Sequence, residues 1–161
     1  LQTAGAEAIV ICANTPHMVY DFVQPQIVIP ILHIADATGK EAKGLGLKKL
    51  GLLGNKPTMI GEFIPKILMK NYDIATIIPE VDAIPKAHEY VSKELTQGVF
   101  SQEAKQFFIQ QIELLKEKGA DGIILGCTEL PLLIQKDDVD IPTLATTNLH
   151  AQMAVDFIFN K

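Results

Sequence analysis

Only two cysteines occur in the 161 residues, and each closes an apolar run. Ala8-Ile9-Val10-Ile11 leads into Cys12, followed by Ala13, Asn14, Thr15, Pro16 and His17. Gly122-Ile123-Ile124-Leu125-Gly126 leads into Cys127, followed by Thr128, Glu129, Leu130 and Pro131. Both runs have a Gly-Ala-acid lead-in, Gly5-Ala6-Glu7 and Gly119-Ala120-Asp121, and both are followed later by Ile-Pro, at Ile29-Pro30 and Ile141-Pro142. The cysteines stand one position apart relative to the lead-ins, yet the order of parts is the same, so the pattern reads as one unit built twice. Two thiols on opposite sides of a ligand could remove a proton from one face of a carbon and return one to the other face. That inverts a stereocentre without a cofactor. A free thiol ionises near about pH 8.5, so one must be lowered to serve as base, and the N–H groups of a helix starting after each cysteine favour a thiolate. The same N–H groups, with Asn14, Thr15 and Thr128, would hold a carboxylate and spread the charge of an enolate. Against this stands simple packing: cysteine is among the most buried residue types and often only fills a strand.

The surrounding elements must bring these residues together. Residues 8–12 and 122–126 read as short strands buried on both faces of a parallel sheet, with both cysteines at carboxyl ends, where ligands of such sheets sit. Asn14 and Thr15 suit a helix cap and Pro16 a first turn, giving a helix over 17–23. A strand over 27–34, interrupted by Pro30 and holding His33 as a core histidine, belongs near an edge. Further strands are expected at 48–53, 73–78 and 141–144. Helices are expected at 36–43, 59–70, 84–96, 102–118 and 129–134, with a last helix from Thr147 or Asn148 to Asn160 packing back on the first. Gly119 closes the helix before the second cysteine run. Thr58 is placed either as a helix cap or as a ligand contact. Alternating strand and helix is the pattern of an α/β fold with parallel sheets flanked by helices.

Composition sets the outer limits. The net charge is −5, with no basic stripe of the kind nucleic acid requires. All fourteen basic residues are lysines, so the bidentate clamp that arginine gives a carboxylate is missing. No apolar stretch approaches the roughly 20 residues that span a bilayer, so a membrane role is not expected. No signal peptide opens the chain, and two free thiols fit a cytoplasmic setting. The four histidines lack metal-ligand spacing, and Gly51-Leu52-Leu53-Gly54 lacks the order of a dinucleotide loop.

Cys12-Ala13-Asn14-Thr15-Pro16-His17 and Gly126-Cys127-Thr128-Glu129-Leu130-Pro131 resemble the two cysteine motifs of the aspartate/glutamate racemase superfamily, and within it the aspartate racemase branch. Residues 29–38, 51–54 and 146–151 add to the resemblance, which runs over the whole chain. It implies two pseudo-symmetric lobes with the site between them, residues 1–45 with 145–161 forming one and 46–144 the other. It further implies cofactor-independent racemisation of aspartate, with glutamate as a second substrate, and a homodimer. Cys12 and Cys127 then act as acid and base on opposite faces of Cα, with Ala13, Asn14, Thr15, Thr128 and Glu129 contacting the amino acid. The family's opening strand, Gly-rich loop and substrate arginine have no counterpart here, so the chain reads as a fragment, and Ser101 stands where family members often carry lysine. Maleate isomerase or hydantoin racemase chemistry, or dicarboxylate binding without turnover, are the alternative readings.

Overall fold

Apolar runs without alternation need cover on both faces, and the fold supplies it. The computed structural model describes residues 1–159. Its elements, in order, are β1 (Ile9–Val10), α1 (Tyr20–Val23), β2 (Ile31–Leu32), α2 (Ile34–Gly44), β3 (Lys49–Leu53), α3 (Lys56–Ile60), α4 (Phe63–Tyr72), β4 (Ala75–Ile77), α5 (Ala83–Lys93), α6 (Gln102–Glu117), β5 (Gly122–Leu125), α7 (Leu130–Leu133), β6 (Thr143–Ala145) and α8 (Thr146–Phe159). Four strands form one parallel sheet in the order β4-β3-β5-β6. Leu53, Ile123 and Leu125 pack on one side with Val91 of α5 and Phe108, Ile112 and Leu115 of α6. Leu50, Leu52, Ile124 and Leu144 pack on the other with Ala35 and Ala42 of α2 and Ile64 and Leu68 of α4. A strand buried from both sides has no reason to alternate polar with apolar residues.

The internal repeat is structural. β1 pairs in parallel with β2, Ile9 opposite Ile31, and Ile9 N donates to Pro30 O at 2.8 Å. β5 pairs in parallel with β6, Ile123 opposite Thr143, and Ile123 N donates to Pro142 O at 2.8 Å. Each Ile-Pro therefore delivers the strand that pairs beside a cysteine-bearing one. The copies differ in cover. β1 and β2 form a sheet of two strands, Val10 is 38% exposed, and the expected buried strand over 8–12 shrinks to Ile9–Val10. One neighbour cannot enclose a strand on two faces.

Other local expectations shift for clear reasons. Helix 59–70 is two helices, because Gly61 takes an extended backbone between α3 and α4. His33 lies outside β2 and caps α2, its Nδ1 accepting from Ala35 N at 3.1 Å. Asn55 rather than Thr58 caps α3, accepting from Thr58 N at 3.0 Å. Ser101 caps α6, accepting from Ala104 N at 3.2 Å. Gly119, at φ 86°, ends the turn after α6 as expected. Helix α8 packs on α2 and meets the first helical segment through His150. Asn160 lies outside the described residues.

Strand order reverses between β3 and β5, and the backbones there come unusually close. A Cβ on Gly126 would lie 2.8 Å from Leu53 O, and one on Gly54 would lie 2.9 Å from Gly126 O. Gly126→Ala is expected to destabilise by about 1–3 kcal/mol, because a methyl group against fixed backbone cannot be accommodated by rotamer change. Gly44→Ala, where nothing lies within 4 Å, should be neutral or mildly stabilising. Thermal melts of the two variants check the contrast; equal Tm values would refute it.

Beneath β1 and β2 the packing is polar. His17, His33 and His150 are 0%, 2% and 3% exposed, and the His17 ring centroid lies 4.7 Å from that of His33 and 5.4 Å from that of His150. Burial lowers the affinity of all three for a proton, pushing His33 down to about 3. An unfolded chain takes up these protons near about pH 6.5, and the folded protein takes them up only at lower pH. Stability from this cluster is therefore complete above about pH 6.5 and falls as the pH drops below it. Unfolding free energy should decrease by at least about 2 kcal/mol between pH 7 and pH 5, since one unit of displacement is worth about 1.4 kcal/mol. Urea titrations at the two pH values test this, with the His33 ring protons in NMR spectra expected to stay unshifted; a ring titrating near its ordinary value would refute it.

Candidate active site

Cys127 stands two residues beyond the end of β5, on the floor formed by Gly54 and Gly126. It is 9% exposed, and its thiol donates to Glu129 Oε2 at 2.9 Å. Burial, and then the hydrogen bond to the carboxylate, push the thiol up to about 12. The N–H groups of Glu129 and Leu130 pull the other way and are outweighed. The sequence expectation of a helix-lowered thiol is thus reversed at Cys127. Helix α7 has only four residues, a weak dipole set against desolvation and a carboxylate. Glu129 is half-buried. Burial raises its proton affinity, but the hydrogen bonds from the Cys127 thiol and the Thr128 hydroxyl outweigh that, and its carboxyl ends below its ordinary value. At neutral pH the pair is a protonated thiol against an ionised carboxylate. Glu129 is the hydrogen-bond acceptor for that thiol proton. Thr128 itself is exposed.

Cys12 occupies the matching place two residues beyond β1, and its environment differs. It is exposed, and its thiol lies 3.9 Å from Val10 O. The segment after it is a 3-10 turn, Thr15–Val19, running into α1. His17 organises this loop. Its Nδ1 lies 2.9 Å from Ala13 O and 3.2 Å from Asn14 O, while Nε2 accepts from Ile34 N at 3.2 Å. Carbonyls only accept and an N–H only donates, so Nδ1 carries the hydrogen and the ring is neutral.

Asn14 does not cap the turn with its side chain. Its Nδ2 donates to Thr146 Oγ1 at 3.0 Å, and that hydroxyl donates to Leu125 O at 3.1 Å, at the carboxyl end of β5. The Thr15 hydroxyl lies 2.9 Å from the Thr58 hydroxyl and 3.3 Å from Asn55 Oδ1, just beyond β3. The Cys12 loop is therefore fastened to the carboxyl ends of β3, β5 and β6, at the reversal of strand order where open parallel sheets hold ligands. Asn14 Oδ1 is buried with no hydrogen-bond partner. Ala13 contributes its carbonyl to His17. Of the expected contacts, Asn14 and Thr15 reach the sheet end that carries Cys127, Glu129 and Thr128 cluster with that thiol, and Ala13 turns its carbonyl inward. Asn55 and Thr146 went unforeseen. Their signal was positional: β1, β3, β5 and β6 are each followed within two residues by Asn, Cys or Thr.

Among the described residues, no helix is long and apolar enough to cross a membrane and no group of three or more His, Cys, Asp or Glu side chains could hold a metal ion. Over 155 residues the chain is 26% identical to the broad specificity amino-acid racemase RacX of Bacillus subtilis (strain 168), covering 96% of this chain and 66% of that protein. A crystal structure of a candidate Asp/Glu racemase from Yersinia pestis superposes with a TM-score of 0.91 at 37% identity, covering 97% of this chain and 68% of that one. An aspartate racemase homologue from Pyrococcus horikoshii OT3 gives 0.85 at 32% identity, with the same coverage of both chains. The chain thus spans about two thirds of the length of these relatives. Residues 1–154 match the Asp/Glu/hydantoin racemase family, and the chain belongs to that family.

Proposed function

We propose that this chain carries out cofactor-independent racemisation of an amino acid, aspartate first and glutamate second, with Cys12 and Cys127 as the two acid–base groups. The observation that carries the reading is the fastening of the Cys12 loop, through Asn14–Thr146–Leu125, to the strand end that bears Cys127. The substrate would lie between lobes of residues 1–45 with 145–161 and 46–144. One thiolate takes the proton from Cα, leaving a carbanion whose charge spreads into the carboxylate. The opposite thiol delivers its proton to the other face. The product leaves with the thiol and thiolate exchanged, and the opposite direction resets them.

The two cysteines are not equal in this scheme. Cys127 begins protonated and suits proton donation; to act as base it first passes its proton to Glu129, and the thiolate then attacks Cα–H. The hydroxyls of Thr15 and Thr128 and the amide of Asn14 serve the substrate's carboxylate and ammonium. The family resemblance brings with it a cytoplasmic homodimer, which light scattering would test. The exposure of Cys12 favours one second reading, binding of a dicarboxylic amino acid without turnover.

Incubation with L-aspartate, and separately L-glutamate, in D₂O is expected to give loss of the Cα–H signal in NMR spectra. Cys12→Ala and Cys127→Ala should each reduce exchange from at least one enantiomer by about 10²-fold or more. Binding without exchange by the well-folded protein would establish the second reading instead. Glu129→Gln should leave binding near normal and slow, by about 10²-fold or more, the direction in which Cys127 is the base. The same variant should form the Cys127 thiolate at lower pH, because a carboxylate that holds the proton on sulfur is gone; thiolate absorbance against pH checks this, and an unchanged profile would remove Glu129 from its role.

A further inference from the structure

We propose that Thr146 is a positioning residue that fixes the amide of Asn14, so that Oδ1 is presented to the site as an acceptor and the site selects ligands bearing an ammonium group. This rests on the racemase reading for the location of the ligand. It does not depend on turnover. The argument runs through the direction of each hydrogen bond. Leu125 O is a backbone carbonyl and can only accept. Thr146 Oγ1, 3.1 Å away, therefore commits its single hydrogen to it. The same oxygen can then only accept from Asn14, whose amide group stands 3.0 Å away, so the nitrogen of that amide must face Thr146. An amide that turns its nitrogen one way turns its oxygen the other.

The consequence is an acceptor held in place without a donor. Asn14 is 4% exposed and Thr146 1% exposed, and Asn14 Oδ1 is the buried side-chain oxygen or nitrogen left unpaired among the described residues. A buried polar atom without a partner costs about 1–3 kcal/mol, and a ligand that supplies a donor recovers it. An ammonium supplies a charged N–H, the strongest donor available to an amino acid. A dicarboxylate of the same length without the amine supplies none and leaves the acceptor unpaired. Selection against such a ligand then follows from a threonine that need not touch either one.

Binding of L-aspartate and of succinate to the unmodified chain, Thr146→Val and Thr146→Ser, measured by isothermal calorimetry, tests the proposal. The unmodified chain and Thr146→Ser should prefer L-aspartate, and Thr146→Val should lose about tenfold or more of that preference, because its Asn14 amide is free to turn over. An equal preference in Thr146→Val and the unmodified chain would overturn the assignment, as would no preference in the unmodified chain. The Asn14 side-chain amide gives a readout without ligand: its NH₂ resonances should be protected from solvent exchange in the unmodified chain and in Thr146→Ser, and unprotected NH₂ in the unmodified chain would also overturn it. If Thr146→Val does not fold, Thr146→Ala removes the same hydroxyl with less bulk, and the amide resonances of the unmodified chain decide independently. Aspartate selectivity that follows Thr146 without any Cα–H exchange would uphold this proposal and defeat the racemase reading alone.

Discussion

His17 has two nitrogens with opposite duties, and the first cysteine loop depends on both. One nitrogen must give a hydrogen to the carbonyls of Ala13 and Asn14; the other must offer a lone pair to the N–H that opens α2. Only the neutral ring, in one tautomer, can do both. Burial among His33 and His150 enforces that state, because a charge there would have neither water nor a counter-ion beside it. Asp21, the carboxylate whose charge reaches His33, is exposed and bound to Lys66. The loop's shape thus follows from the protonation state of a ring that lies outside the proposed chemistry.

The second cysteine is held by a different kind of constraint. Two glycines let β3 and β5 approach until backbone touches backbone, and the thiol sits on that closed floor against a carboxylate. Repetition in the sequence suggests two equal half-sites. Repetition in the structure stops at the strands. The pairing beside each Ile-Pro is the same in both copies, but one thiol is exposed and the other is enclosed and shifted strongly upward. A duplicated frame has come to hold two thiols in different surroundings.

The frame was legible because it rests on local pattern: apolar runs, the Gly119 cap, and cap residues after strands. The four-stranded sheet and the helices on its two faces follow from that pattern. The extent of β1 and β2 was not legible, since length of pairing is decided by neighbours and not by the residues of the strand. His33 looked like a strand residue because it follows an apolar run, yet its ring nitrogen competes successfully for the first free N–H of α2. The ionisation of Cys127 was misjudged for a similar reason. Sequence spacing displays a helix N-terminus but hides how short the helix is and how deeply the sulfur lies. The contacts of Asn14 with Thr146 and of Thr15 with Thr58 join distant parts of the chain, and no periodicity could announce them.

That last point bears on the order in which the molecule comes together. The hydrogen bond from Asn14 to Thr146 links residues 132 positions apart, and those from the backbone of Lys48 and Lys49 to Asp121 span 73 and 72. Contacts of such separation close late, because chain entropy must be surrendered before they return any stability. The helices and the β3–α4–β4 unit can gather from near neighbours, whereas the place where the two cysteine segments meet exists only once β5 and β6 have joined the sheet. A partly folded chain is therefore a scaffold without that meeting place, which arrives together with the last strands.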